Sequence, residues 1–258
     1  MAKICGYLNS YKFCSFAQKM RATPLYIFLF FLPLVTFAQA DSTSHKTPNF
    51  VKKVILPTSL IAAGSLISNK TIELNLRDNI LQRTSGERQT HLDDFFPFVP
   101  IGEMYLADLV GIKSKNHWFD QSKNLFMTVA LNQIITSSFK QLINKTRPNG
   151  EHYSMPSGHT SSAFATATVL YEEFKSSHPV LAYSGFGFAT ATGTLRIINN
   201  KHWLSDVLAG AGVGILSAKI IYHFEPFKNW NPVLRQTKMA IYPSLTPYSY
   251  SIRAVVVR

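Results

Sequence analysis

The chain has 258 residues, 46% of them hydrophobic and 16% charged, with a net charge of +12. That length suits one domain with appendages and a core that needs no disulfide or metal to hold it. The low charge excludes a disordered chain, and a mean hydropathy of +0.04 is too low for a protein that is mostly lipid-embedded. The basic balance favours anionic partners such as anionic lipid or a phosphorylated substrate. With no compact Lys/Arg run and no nucleic-acid fold signature, nucleic acid is not expected among them.

In chain order, residues 25–37 read LYIFLFFLPLVTF, with Arg21 just upstream and Ala38-Gln39-Ala40 after. This is the pattern of a secretory signal, and Met20 opens a more conventional one than Met1; the alternative is an uncleaved membrane anchor. Residues 1–40 also hold Lys3, Lys12, Lys19, Arg21, Cys5 and Cys14. Cleavage therefore takes the charge from +12 to +8 and leaves no cysteine, hence no disulfide, no thiol chemistry and no Cys-based zinc site. Residues 41–49 are polar and read as a linker.

Six apolar stretches follow, near 50–69, 95–112, 122–143, 158–174, 179–195 and 204–224. Their length favours helices over strands. Small residues, as in LAGAGVGILSA from Leu208 to Ala218, allow close helix approach. Residues 50–228 are thus expected to form an all-α, six-helix bundle. Residues 229–258 form a separate tail, where Met239 to Arg258 alternate Val, Ile and Tyr with polar residues, and Pro243 and Pro247 bracket a turn. That predicts a short strand or hairpin appendage.

Three segments carry chemistry. Lys140 precedes Arg147-Pro148 by seven residues, and the proline ends the helix near there. Pro156-Ser157-Gly158-His159 opens the fourth helix, where the first amides face outward and favour an anion. Arg196 is followed by His202 and Asp206; the last two, four apart on a helix, share a face. A carboxylate behind a histidine fixes its tautomer and raises the basicity of the other ring nitrogen, which prepares a nucleophile or base. Each segment alone is ordinary: a solvated helix end, an N-cap, a structural hydrogen bond. Together, two guanidinium groups, an ammonium, helix-start amides and two histidines are what phosphoryl transfer requires. His91, Asp93, Asp94 and Glu103 fit no standard metal-ligand spacing and read as a loop and helix start. His45, His117, His178 and His223 match no motif. His152 is close enough to Pro156 to line a pocket, and 144–149 is a loop within reach of substrate.

The segments KQLINKTRP, PSGH and LRIINNKHWLSD resemble the signature of the type 2 phosphatidic acid phosphatase superfamily, which includes lipid phosphatases, class A acid phosphatases and vanadium haloperoxidases. The resemblance covers roughly residues 50–224 and departs at one position, where Leu195 stands in place of a serine. It implies His202 as nucleophile forming a phosphohistidine, Asp206 as its orienting carboxylate, and His159 as general acid. It implies Lys140, Arg147, Ser157, Gly158 and Arg196 as the phosphate-binding set, with no metal and no cofactor. It further implies a phosphorylated envelope lipid as substrate (lipid A, phosphatidic acid or a related lipid) and the membrane as partner. A soluble periplasmic acid phosphatase or an undecaprenyl pyrophosphate phosphatase is the alternative, and a haloperoxidase or non-catalytic lipid-binding module ranks below these. The expected location is the bacterial envelope, inner membrane or membrane-associated, with the site facing the periplasm. If the signal is cleaved, six full spans would turn the site inward; an outward site requires either a retained anchor or a bundle only partly embedded. Lys and Arg occur in loops on both sides, so charge asymmetry does not decide orientation.

Overall fold

The computed structural model describes residues 50–84, 90–228, 230–231, 238–246 and 249–257; the stretch expected to be a signal or anchor and the expected linker lie outside this set. The described residues belong to one compact unit, Asn49–Arg258. The helices are α1 (Phe50–Ile67), α2 (Thr71–Thr84), α3 (Leu92–Phe95) continued by a 3₁₀ turn over Phe96–Phe98, α4 (Val99–Val110), α5 (Trp118–Ile143), α6 (Gly158–Phe174), α7 (Pro179–Ile198) and α8 (Leu204–Phe224). The expected all-α bundle is present, and five of the six predicted stretches correspond to single helices.

Two features differ from expectation. The 95–112 stretch is broken, because Pro97 and Pro100 punctuate it into a short helix, a 3₁₀ turn and α4. Helix α2, TIELNLRDNILQRT, is additional; it is polar, so a search for apolar runs passes over it.

Helix ends follow local chemistry. Gly111 closes α4 at φ 88° and Asn144 closes α5 at φ 46°, both in the left-handed region that Gly and Asn tolerate. His117 and His178, which match no catalytic motif, serve as caps: each Nδ1 accepts from a first-turn amide, Phe119 N and Leu181 N. Pro179 begins α7, a position whose N–H has no intrahelical partner anyway. His223 stacks on Phe50.

Helix α6 is the hub, packed against α4, α5, α7 and α8. Its second half joins Met104, Ala107, Ala182, Ala218 and Tyr222 in the main hydrophobic core through Val169, Leu170 and Phe174. Its first half includes the buried Thr160 and Ser161, and there the three motif segments meet. The inward face of α5 is also polar, with Gln121, Asn124, Thr128, Asn132 and Thr136 buried.

Helix α8 has glycines on both flanks. A Cβ on Gly210 would lie 2.7 Å from Ser157 O, and one on Gly214 would collide with Ser161 O, both in or beside α6. A Cβ on Gly212 would lie 2.5 Å from Pro57 O of α1. Only bare backbone fits these approaches.

The tail is an antiparallel pair, β1 (Lys238–Thr246) and β2 (Ser249–Val257), in agreement with the predicted hairpin. Pro243 does not bracket the turn as expected: it lies within β1, paired with Ile252. A two-stranded ribbon consists of edges, where a proline without an N–H is tolerated.

Candidate active site

A cavity of about 370 Å³ opens at the N-terminal end of α6, lined by Lys140, Arg147, Gly158, His159, Arg196 and His202, with Asp94, Pro97, Phe98, Gln133 and Ser162 completing the wall. Six of the eight residues singled out by sequence therefore meet in one cavity. The other two stand behind it. Asp206 is fully buried, with its Oδ2 3.4 Å from His202 Nδ1. Ser157 caps α6, but its hydroxyl accepts from Thr160 Oγ1 at 2.9 Å and its amide donates to Asp206 O at 2.9 Å. Its side chain is held in the protein interior rather than in the cavity wall.

His202 sits in the turn between α7 and α8. Burial lowers its pKa to about 4; Asp206 opposes that shift, and Arg196 and Lys140 add to it. At neutral pH the ring is uncharged. With Nδ1 facing Asp206, the proton belongs on Nδ1 and the lone pair on Nε2. Asp206 is itself fixed: its Oδ2 accepts from Ser154 Oγ and from Trp203 N, the latter at 2.9 Å, so one carboxylate both closes the start of α8 and orients the histidine.

The cationic wall has donors to spare. Arg147 donates through Nη1 to Glu151 at 2.6 Å, and Arg196 through Nη1 to Asp93 at 2.8 Å. The Nε of each is buried without a hydrogen-bond partner among the described residues. Both guanidinium groups line the cavity, and a planar fork of N–H donors suits phosphate oxygens. Lys140 Nζ donates to Tyr153 O at 2.7 Å, and its pKa is lowered to about 8 by burial and by Arg147. The first turn of α6 adds amides that no helix residue can satisfy.

His159 Nε2 is 3.0 Å from Asp94 Oδ1. Burial and Arg196 lower the His159 pKa, while Asp94 and Asp93 work against that shift. Asp93 and Asp94 thus have a place that sequence reading did not give them: Asp93 holds Arg196, and Asp94 faces His159 from the cavity wall. Glu103 lies apart, accepting from Ser184. Among the described residues, no group of three or more His, Cys, Asp or Glu is placed to hold a metal. His152 is exposed and packs on Tyr153; it is not in the cavity wall.

Helix α2 reaches the site from outside the recognised motifs. Glu73 accepts from Lys145 Nζ at 3.0 Å, and Lys145 Nζ is 3.3 Å from Asp206 Oδ1. Arg77 donates to Pro148 O at 3.2 Å and to Asn200 Oδ1 at 3.3 Å. It thereby ties the loop that carries Arg147 to the turn that carries His202. The sequence signal for Lys145 was its place inside KQLINKTRP; Glu73 and Arg77 had none beyond helix propensity.

A model of the PAP2 superfamily matches residues 122–230, a span that includes the three motif segments. The chain carries a PAP2 superfamily domain. It is 33% identical over 191 residues to a lipid A 1-phosphatase of Porphyromonas gingivalis, an alignment covering 72% of this chain and 41% of the relative; the chain spans about two fifths of the length of that curated relative. Among solved structures, it is similar to LpxE of Aquifex aeolicus, with 26% identity, 62% of this chain and 98% of that one covered, and a TM-score of 0.43. It is also similar to a transmembrane PAP2-type phosphatidylglycerolphosphate phosphatase of Bacillus subtilis, with 19% identity, 71% and 98% covered, and a TM-score of 0.47.

Proposed function

We propose that this PAP2 protein is a metal-independent phosphomonoesterase that removes phosphate from an envelope lipid, with lipid A the first candidate and phosphatidic acid the next. The observation that carries the reading is the cavity itself: the side chains of Arg147 and Arg196 line the same space as Lys140, the start of α6 and a neutral, Asp-backed histidine. The likeness to a lipid A 1-phosphatase supports the choice of lipid.

In the proposed reaction Lys140, Arg147 and Arg196 hold the phosphate oxygens with Gly158 and the first amides of α6, and Ser157 fixes that turn from behind. The Nε2 lone pair of His202 attacks phosphorus as the bond to the leaving oxygen breaks, and His159 gives that oxygen its proton. Asp206 balances the positive charge on the phosphorylated ring. Water then attacks phosphorus, passes a proton to His159, and releases inorganic phosphate as the P–N bond breaks. Residues 50–228 form the catalytic domain on this reading, and 229–258 an appendage.

Membrane association fits the helices. Among the described residues, α1 and α8 are long and apolar enough to cross a membrane, yet only 11% of the α1 window is buried against 72% of that of α8. Val51, Ile55, Leu56 and Leu66 of α1 are exposed, as are Leu109 and Val110 of α4 and Phe126 of α5, so of these two long helices α1 is the one with apolar surface left for lipid. We place the protein at the bacterial envelope with the cavity facing the periplasm. The test is hydrolysis of lipid A and phosphatidic acid in mixed micelles, with and without EDTA. Wild-type protein should release phosphate in both conditions and His202→Ala in neither; a fully active alanine variant, or chelator inhibition, refutes the scheme.

A further inference from the structure

Behind the cavity a chain of alternating charges runs from Asp206 through Lys145 to Glu73 on α2. Asp206 Oδ2 faces His202 Nδ1, and its Oδ1 is 3.3 Å from Lys145 Nζ. Lys145 Nζ is in turn 3.0 and 3.3 Å from the two oxygens of Glu73. Ser205 closes the cluster, accepting from Lys145 at 2.6 Å and donating to Glu73. Asn69 N donates to the other Glu73 oxygen at 2.7 Å. The side chains of Asp206, Lys145 and Glu73 are 0%, 6% and 1% exposed, so solvent does little to screen them.

Charge accounting gives this arrangement a purpose. Two buried carboxylates share one ammonium, which leaves the cluster one negative charge in excess while His202 is neutral. When the His202 ring becomes cationic, the cluster is balanced. We propose that Glu73 and Lys145 are positioning residues that set the charge behind His202: Glu73 supplies the excess that stabilises the cationic ring, and Lys145 keeps that excess from protonating the ring prematurely. This rests on His202 being the nucleophile. The cationic ring is the state that forms on phosphorylation, so a fixed, preorganised counter-charge acts on the transition state more than on the ground state. The other charged groups facing His202 and Asp206 are Arg196 and Lys140, on the cavity side; Ser154 and Ser205 contribute neutral hydrogen bonds.

The test uses the full chain and four variants: Glu73→Gln, Lys145→Gln, the double variant, and His202→Ala. Histidine-selective ¹⁵N NMR, with His202→Ala as the assignment control, follows the His202 titration without requiring turnover. The expected shifts have opposite signs: down by about half a pH unit or more in Glu73→Gln, up by a similar amount in Lys145→Gln, and close to wild type in the double variant. The acid limb of kcat/KM should move in the same directions, since variants compared on one substrate share that substrate's own ionisation. In Glu73→Gln kcat should fall on the order of tenfold. Should Lys145→Gln fail to fold, Glu73→Gln and the charge-neutral double variant still carry the comparison. A His202 titration that stays put, or moves the same way in every variant, overturns the proposal. Turnover retained by His202→Ala instead overturns the nucleophile assignment on which it stands.

Discussion

Replacing Gly210 by alanine is the sharpest test of how the turn bearing Gly158 and His159 is held. Gly210 lies on the face of α8 that meets the start of α6, and a Cβ there would sit 2.7 Å from Ser157 O, 3.3 Å from Thr160 Cβ and 3.4 Å from Ser157 N. Ordinary carbon–oxygen contact begins near 3.4 Å, so the Ser157 carbonyl must retreat by about 0.7 Å. Ser157 cannot yield alone: its amide is bonded to Asp206 O, and its carbonyl receives Ser161 N. The retreat therefore moves the start of α6, and Gly158 and His159 with it, away from His202. A displacement approaching 1 Å costs on the order of 10²-fold in rate, while overpacking of this kind costs about 1–3 kcal/mol in stability. Turnover of a lipid phosphate and thermal unfolding are measured side by side, with Gly187→Ala as control. Gly187 is on α7, and nothing lies within 4 Å of its would-be Cβ, so alanine there should hold activity and gain about 0.5–1 kcal/mol from helix propensity. A Gly210→Ala protein with wild-type kcat and an unchanged melting temperature would refute the argument.

Three other outcomes follow from the same structure. Asp94→Asn removes the carboxylate that works against the lowering of the His159 pKa, so the alkaline limb of the pH–rate profile should move to lower pH; a limb that stays or rises counts against His159 as the acid. Because His202 is protonated only near pH 4 in the folded state against 6.5 otherwise, the unfolded chain takes up that proton first as pH falls. Stability should therefore drop between about pH 6.5 and 4, by roughly 3 kcal/mol, and melting curves of His202→Gln should show a shallower decline across that window. At the far end of the bundle Tyr222 Oη donates to the buried Glu173 at 2.5 Å; Tyr222→Phe should cost about 1–3 kcal/mol and leave kcat as it is.

What was readable in advance followed from the kind of signal each residue carries. Lys140, Arg147, His159, Arg196, His202 and Asp206 lie in short segments whose spacing encodes their meeting, and five of the six apolar runs each mark a single helix. Glu73 and Arg77 were invisible because α2 is amphipathic in neither pattern nor composition; their roles come from partners 72 and 71 residues away, and no local rule reports such a pairing. Asp93 and Asp94 fit no metal-ligand spacing, whereas an acidic pair beside an arginine and a histidine has a simpler use as their counter-charge. Ser157 shows the converse. Its position in PSGH was legible, but the direction of its hydroxyl depends on Thr160, one turn further along α6.

The glycines of α8 have a mechanical consequence. Gly212 receives the backbone of α1 on one flank, and Gly210 and Gly214 receive that of α6 on the other, so along this stretch a single strip of main chain separates the most lipid-suited helix from the turn bearing His159. At Gly212 the Pro57 carbonyl and the Ile61 side chain of α1 both press on bare backbone, which leaves little slack to absorb a tilt or a slide of α1. A change in how α1 sits in its surroundings, whether from bilayer thickness, curvature or headgroup crowding, would be handed straight to the end of the bundle that holds the cavity, so turnover in vesicles of graded acyl length offers a direct gauge of that linkage.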